Sequence, residues 1–273
     1  MARQSSYTIT ELRGAGASAG VALTTTAALT SLPPGTQYIG LTPRNFATAV
    51  VARVAINPTL VVLISTDGLT NDAFNASFLL QDGDNTTTLG MNSFPALASG
   101  GIILVGSTIP FRGVAVDVQN TNSTAATLTV DYPISDDTWA SISATDGTAS
   151  GGAPFAQDGN VTWTIPTAWA AASLNRLYAS KARKSSDVYN HKLYWTRWSV
   201  DAAFDASVSV NQMRPLARST AYFELVPGEL YEQLIPTTGY QGFSTVEALT
   251  DAGTANLVIQ CGTINGSEFL PVA

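Results

Sequence analysis

Residues 32–43 and 225–236 of this chain read as two copies of one segment. They align without gaps and are identical at six of twelve positions: Leu32 with Leu225, Pro34 with Pro227, Gly35 with Gly228, Tyr38 with Tyr231, Leu41 with Leu234 and Pro43 with Pro236. A repeat constrains a fold more than any local pattern does, because the same unit must be accommodated twice. Each copy has a Pro-Gly turn, a short apolar stretch of strand character and a terminating proline that cannot donate to a ladder. After a four-residue insertion the likeness resumes, with Phe46 matching Phe243, Thr48 matching Thr245, Leu60-Val61 matching Leu257-Val258 and Thr66 matching Thr263. The expected organisation is therefore a β module at 32–110, a different central segment at 111–218, and a second module at 219–273 that repeats 32–66. Residues 1–31, rich in Ala, Gly and Thr and without periodicity, are expected to be an N-terminal arm lying against the body or a neighbouring copy.

The rest of the chain points to strands as well. Apolar and polar residues alternate in Val114-Ala115-Val116-Asp117-Val118, Leu128-Thr129-Val130-Asp131-Tyr132 and Val161-Thr162-Trp163-Thr164-Ile165, the period of a half-buried strand. Continuous apolar runs at 60–64 and 102–105 suit strands buried on both faces. Turn clusters such as Thr66-Asp67-Gly68 and Asp82-Gly83-Asp84-Asn85 separate them. Only the stretch after Pro166, with Trp169, Leu174, Leu177 and Tyr178, invites a helix. The expected class is all-β: β-sandwich domains with a duplicated β module and one short helix.

Charge narrows the function. Charged residues are 12% of the chain, about half the globular norm, while Ala, Thr, Ser and Gly supply 118 of 273 residues. The net charge of −7 gives no overall electrostatic footprint for nucleic acid. The charge is uneven, however: eight basic and three acidic residues lie between Arg176 and Arg218, leaving about −12 on the remainder. Within a basic loop at 176–192, Arg176, Lys181, Arg183, Lys184 and Lys192 are the candidate interface residues, for acidic surfaces of neighbouring copies.

Catalysis is not expected. His191 is the sole histidine, so no histidine pair exists to hold a metal, and no Gly-x-Ser-x-Gly elbow accompanies it. Asp82-Gly83-Asp84-Asn85 lacks the later Glu of a twelve-residue calcium loop, and Gly151-Gly152 lacks a following P-loop lysine. Cys261, the single cysteine, sits in an apolar run and is expected to be a small buried hydrophobe. No cofactor is expected. No run of 18 apolar residues suggests a membrane span, and the N-terminal residues lack the basic head and apolar stretch of a signal peptide.

One further series gives the central segment a likeness. It runs Leu128-Thr129-Val130-Asp131-Tyr132, Asp137-Thr138-Trp139, Asp146-Gly147-Thr148, then Gly159-Asn160-Val161-Thr162-Trp163-Thr164-Ile165-Pro166 with Trp169, then Tyr194-Trp195-Thr196-Arg197. This resembles a β-sandwich module of structural proteins of tailed bacteriophages, mainly over 128–213 and more weakly over 225–263. It departs at Pro133-Ile134, where an aromatic residue and a glycine are usual, and in the inserted loop at 176–192. The resemblance implies a non-enzymatic virion subunit, a capsid decoration or a neck or tail adaptor. Such a subunit would assemble symmetrically with its own copies and with other virion proteins, without direct nucleic-acid or membrane contact. The alternative is a carbohydrate-binding or receptor-binding β-sandwich module. That alternative requires at least two Trp or Tyr rings side by side on an open face, whereas Trp163 and Trp195 are expected to be internal.

Overall fold

The computed structural model describes residues 7–13, 20–33, 36–84, 86–217, 221–234 and 242–264. The chain forms two compact units: residues 58–218 make one, and they are inserted in sequence between the two segments, 1–57 and 219–273, that make the other. The strands of the first segment are β1 (Tyr7–Arg13), β2 (Val21–Leu23), β3 (Ala28–Ser31), β4 (Tyr38–Ala47) and β5 (Ala52–Pro58). The inserted unit runs β6 (Val61–Ser65), β7 (Phe74–Asn75), β8 (Leu89–Gly90), β9 (Ile102–Ser107), β10 (Gly113–Asn120), β11 (Leu128–Ser135), β12 (Thr138–Ser141), β13 (Thr145–Asp146), β14 (Gly159–Thr162), a one-turn helix α1 (Leu174–Leu177), β15 (Tyr194–Val200) and β16 (Ser209–Leu216). The returning segment adds β17 (Phe223–Leu225), β18 (Tyr231–Leu234), β19 (Phe243–Thr250) and β20 (Thr254–Ile264). The protein is all-β, in four antiparallel sheets.

In the discontinuous unit one sheet has the order β1-β20-β4-β18, with β2 also on β20, and the other β17-β5-β19-β3. Both sheets feed one core, with Leu23, Ile39, Leu41, Leu257, Ile259 and Cys261 of the first meeting Val54 and Val246 of the second. That is a sandwich, two sheets burying their inner faces on each other. The repeat is built into it. β4 and β18, which carry the two copies of the Tyr-to-Leu stretch, lie side by side with Tyr38 opposite Leu234 and Leu41 opposite Tyr231. β3 and β17, which lead into the two Pro-Gly turns, occupy the opposite ends of the second sheet, and Leu32 and Leu225 are both buried. The two copies thus lie in one sandwich, side by side at β4 and β18, not in two modules flanking a third.

Three expectations are corrected here. The boundary expected at 110/111 falls at 57/58, because residues 60–105 supply β6 and β9 to the inserted core. The resumed likeness beyond the insertion reaches Phe46 and Phe243, which share one core, but does not carry further. Leu60-Val61 lies in the inserted unit, whereas Leu257-Val258 lies in β20, and their shared sequence is the common composition of apolar strands. The described part of the arm is strand rather than arm: β1 and β2 pair with β20 and β3 pairs with β19, and Leu23 is in the core. Residues 1–6 and 14–19 of that arm lie outside the described residues.

The inserted unit is a second sandwich, of sheets β12-β11-β15-β9-β6-β7 and β13-β14-β10-β16-β8. Val62, Ile103, Val105, Val130 and Trp198 of the first sheet meet Val114, Val116, Val161, Val210 and Met213 of the second. The helix expected after Pro166 shrinks to α1, and Trp169 stands in an irregular stretch before it. Where β7 pairs with only two residues of β6, side chains continue its ladder. Leu60 donates its N–H to the Gln81 amide oxygen at 2.7 Å, Gln81 returns its amide N–H to the Leu60 carbonyl at 2.7 Å, and Val62 donates to the Ser77 hydroxyl at 2.9 Å. Closing an exposed edge in this way removes a template for aggregation.

All 13 acids of the inserted unit are Asp and none is Glu. The turns explain the choice, since the shorter carboxylate reaches backbone N–H groups two to four residues on. Asp67 accepts from the N–H groups of Thr70 and Asn71, and Asp146 from Thr148. Asp82 and Asp84 hold their loop with Thr86 and Thr87.

Candidate functional site

The basic segment begins where Ala172 and Leu193 bridge antiparallel, so that residues 173–192 form a closed excursion from the sandwich. Two devices fix its shape. Asn175 donates its amide N–H to the Lys184 carbonyl at 2.9 Å while Lys184 donates its own N–H to the Asn175 amide oxygen at 2.8 Å. This reciprocal pair closes the loop carrying Lys181 and Arg183. On the other side Asp137, in the left-handed region with φ 55°, donates its N–H to the Leu177 carbonyl and accepts from both the N–H and the hydroxyl of Ser180 at 2.8 Å.

Of the five candidate cations, two are engaged within the chain. Arg176 pairs with Asp136 at 2.9 Å on the surface. Lys184 turns inward, with only 11% of its side chain exposed, donating to the Thr70 carbonyl at 2.7 Å and lying 3.8 Å from the Asp72 carboxylate. Tyr189 adds a tie to the same loop, its hydroxyl accepting from the Ala73 N–H at 2.7 Å, and burial pushes that phenol above its ordinary pKa. Lys181, Arg183 and Lys192 are exposed and make no ion pair among the described residues. The segment is therefore a rigid mount for three outward cations. His191 is exposed beside them.

Beneath the mount, Arg197 binds the Asp131 carboxylate through Nη2 at 2.6 Å and Nε at 3.2 Å. Its guanidinium lies 5.0 Å over the Trp139 ring, and Trp139 in turn contacts Tyr178 at 5.6 Å between centroids. Although Trp195 shares its strand, Arg197 engages Asp131 and a different tryptophan. Burial is the main reason the Tyr178 phenol is pushed well above its usual range.

The other tryptophans form the core. Trp163, Trp169, Trp195 and Trp198 are buried, with each indole N–H donated inside the unit: Trp163 to the Phe111 carbonyl, Trp169 to the Trp195 carbonyl, Trp195 to the Ala172 carbonyl and Trp198 to the Thr196 hydroxyl. Phe111 packs on Trp163 and Trp169 at 5.3 Å in both cases, and Trp163 stands edge-on to Trp198 at 6.2 Å. Of the Trp and Tyr residues whose burial is described, none is exposed. The large apolar side chains that are exposed are Phe74 and Phe78, Leu97, Ile109, Ile134, Val50, Val226 and Leu230. Sequence reasoning did not single these out, since an exposed position in a strand-edge turn has no signature in hydropathy.

Among the described residues, each unit also carries an open cleft. One of about 410 Å³ is lined by Ser65, Asp67, Asp72, Phe74 and Leu89. The other, of about 350 Å³, is lined by Arg53, Tyr222, Glu224 and Leu249. Arg53 and Glu224 pair at 3.1 Å, and Tyr222 donates to the buried Glu247. Cys261 is buried in its core. No group of three or more His, Cys, Asp or Glu suited to a metal occurs among the described residues, and no described helix is long and apolar enough to cross a membrane. Compared with known proteins, the chain matches no family model and no curated protein.

Proposed function

We propose that this chain is a structural, non-enzymatic subunit of a tailed-phage virion, serving as capsid decoration or as a neck or tail adaptor. It acts by packing against copies of itself and other virion proteins, with no direct nucleic-acid or membrane contact. The observation that weighs for this reading over the glycan-binding alternative is the placement of the aromatic rings: no Trp or Tyr whose burial is described is exposed, whereas sugar stacking needs rings on an open face. The phage assignment itself rests on the central resemblance. What the surface offers instead is sparse charge, scattered exposed Phe, Ile, Leu and Val side chains, and a rigid mount bearing Lys181, Arg183 and Lys192. Subunit interfaces are depleted in charge at their centres and use complementary charge at their rims to fix register.

Negative-stain electron microscopy of the purified full chain, run beside a glycan array, tests the proposal. Uniform closed particles with no saturable glycan signal are expected. Single subunits that bind a defined glycan saturably would overturn it in favour of a receptor-binding module.

A further inference from the structure

We propose that the mount at 173–192 is a docking site for an acidic segment of another protein. Lys181, Arg183 and Lys192 contact that segment, while Arg176 and Lys184 are withheld from it by partners inside the chain. The inference rests on the reading above, that this chain acts by packing on other proteins, and names the chemistry of the partner.

Charge placement makes the case. Five of the 13 Lys and Arg residues of the chain, all three lysines among them, fall in this stretch, against one acid, Asp187. The acids that the fold brings alongside are already engaged. Asp136 holds Arg176 at 2.9 Å, Asp72 lies 3.8 Å from Lys184, and Asp137 accepts from the N–H and hydroxyl of Ser180 at 2.8 Å. A cation paired in this way presents little net field beyond the ~8–10 Å over which salt screens it. Lys181, Arg183 and Lys192 are exposed without an ion pair among the described residues, so the attraction of the mount comes from these three.

The charges are also held in place. Asn175 exchanges two hydrogen bonds with the backbone of Lys184, and its amide donates to Asn190 Oδ1 at 3.0 Å. The turn bearing Lys181 and Arg183 is thereby fixed against the one that leads into Lys192. Lys184 and Tyr189 then tie the whole to Thr70 and Ala73. A long excursion with almost no regular structure is usually functional when it is ordered, and bracing it beforehand lowers the ordering cost of docking.

An acidic protein segment fits this patch better than nucleic acid does. A strong phosphate-backbone binder makes ~6–10 contacts, at least twice what three cations supply, and the charge of about −12 outside 176–218 repels a long polyanion. A short run of Asp or Glu meets the three cations without reaching that remainder, and the guanidinium of Arg183 suits a carboxylate through two parallel N–H bonds.

Fluorescence anisotropy of the full chain with labelled octaglutamate, beside octaglutamine as the uncharged control, tests the proposal. Saturable binding of octaglutamate alone is expected in about 25 mM salt, fading by about 300 mM as screening tightens. Lys181→Gln, Arg183→Gln and Lys192→Gln combined should weaken it ~10-fold, at a few-fold for each exposed pair, whereas Arg176→Gln should change it less than ~2-fold. All four positions are exposed, and circular dichroism confirms that the variants keep the parental fold. Absence of octaglutamate binding would overturn the proposal, as would a loss in Arg176→Gln equal to that in the triple variant. Tighter binding of an oligothymidylate of equal charge would overturn it in favour of nucleic acid. Native mass of the same samples separates the docking from the reading it rests on: a closed oligomer that ignores octaglutamate refutes the docking alone, and a monomer that binds it refutes self-assembly alone.

Discussion

Gly106 faces Trp195 in the aromatic core with no room for a side chain, and this sets the size of a decisive substitution. The two residues are opposite one another on β9 and β15. A Cβ at position 106 would lie 2.6 Å from Trp195 Cε3 and 2.7 Å from Cζ3, nearly 1 Å inside ordinary contact. The indole cannot move away freely, because it is fully buried and its N–H is held by the Ala172 carbonyl at 3.0 Å. Overpacking of this kind costs ~1–3 kcal/mol. Loss of the indole hydrogen bond, if the ring shifts, adds ~1–3 kcal/mol, and the lower backbone freedom of Ala returns at most ~1 kcal/mol. Gly106→Ala is thus expected to destabilise the inserted unit by ~2–4 kcal/mol, a fall of ~5–12 °C in Tm for a unit of this size. Trp195→Phe alone leaves a cavity and should cost ~2–4 kcal/mol. Combined, the two should cost ~1–3 kcal/mol less than their sum, since the smaller ring vacates the clash. Thermal and urea unfolding followed by far-ultraviolet circular dichroism measure all three. A Gly106→Ala protein melting within ~2 °C of the parent, or strictly additive variants, would refute the packing argument and reopen Trp195 as a surface residue.

Other consequences follow from the loops and ion pairs. Asp205 accepts from the N–H and hydroxyl groups of both Ser123 and Ser207, and these bonds, the Ser123 N–H foremost, hold its pKa at about 2. Because its folded pKa is depressed below the ~3.9 of an unfolded Asp, its stabilisation is complete above about pH 4 and fades as pH falls towards about 2. Melting temperature should drop through that window, and less steeply in Asp205→Asn. Asp131→Asn leaves the Arg197 guanidinium half-buried without its carboxylate and should cost ~2–4 kcal/mol in urea unfolding; a cost below ~0.5 kcal/mol would mean that water carries the charge. Gln81→Leu strands the Leu60 N–H and carbonyl, so a loss of ~2–4 kcal/mol and heat-induced aggregation through the opened β6 edge are expected, read by light scattering.

Much of the fold was legible in the sequence, and the failures have identifiable causes. The alternation in β10 and β11 placed Val114, Val116 and Val130 inside, where they are. Residues 20–31 hid β2 and β3 because strands made of Ala, Thr and Leu have no polar–apolar contrast, and their partners β20 and β19 lie more than 200 residues away. The repeat was visible, but antiparallel pairing of its copies into one sandwich was not, since sequence identity carries no register. At the site, Arg183 and Lys184 are adjacent and equally basic, yet one is exposed and the other anchored. The difference is set by Thr70, 114 residues distant in sequence, which no local pattern reports.

The most direct test of the structural-subunit account is the native mass of the full chain at moderate salt across a range of concentrations. The account predicts a discrete closed homo-oligomer whose mass is a fixed multiple of the 28.5 kDa chain and does not drift on dilution. A single 28.5 kDa species at every concentration would contradict it.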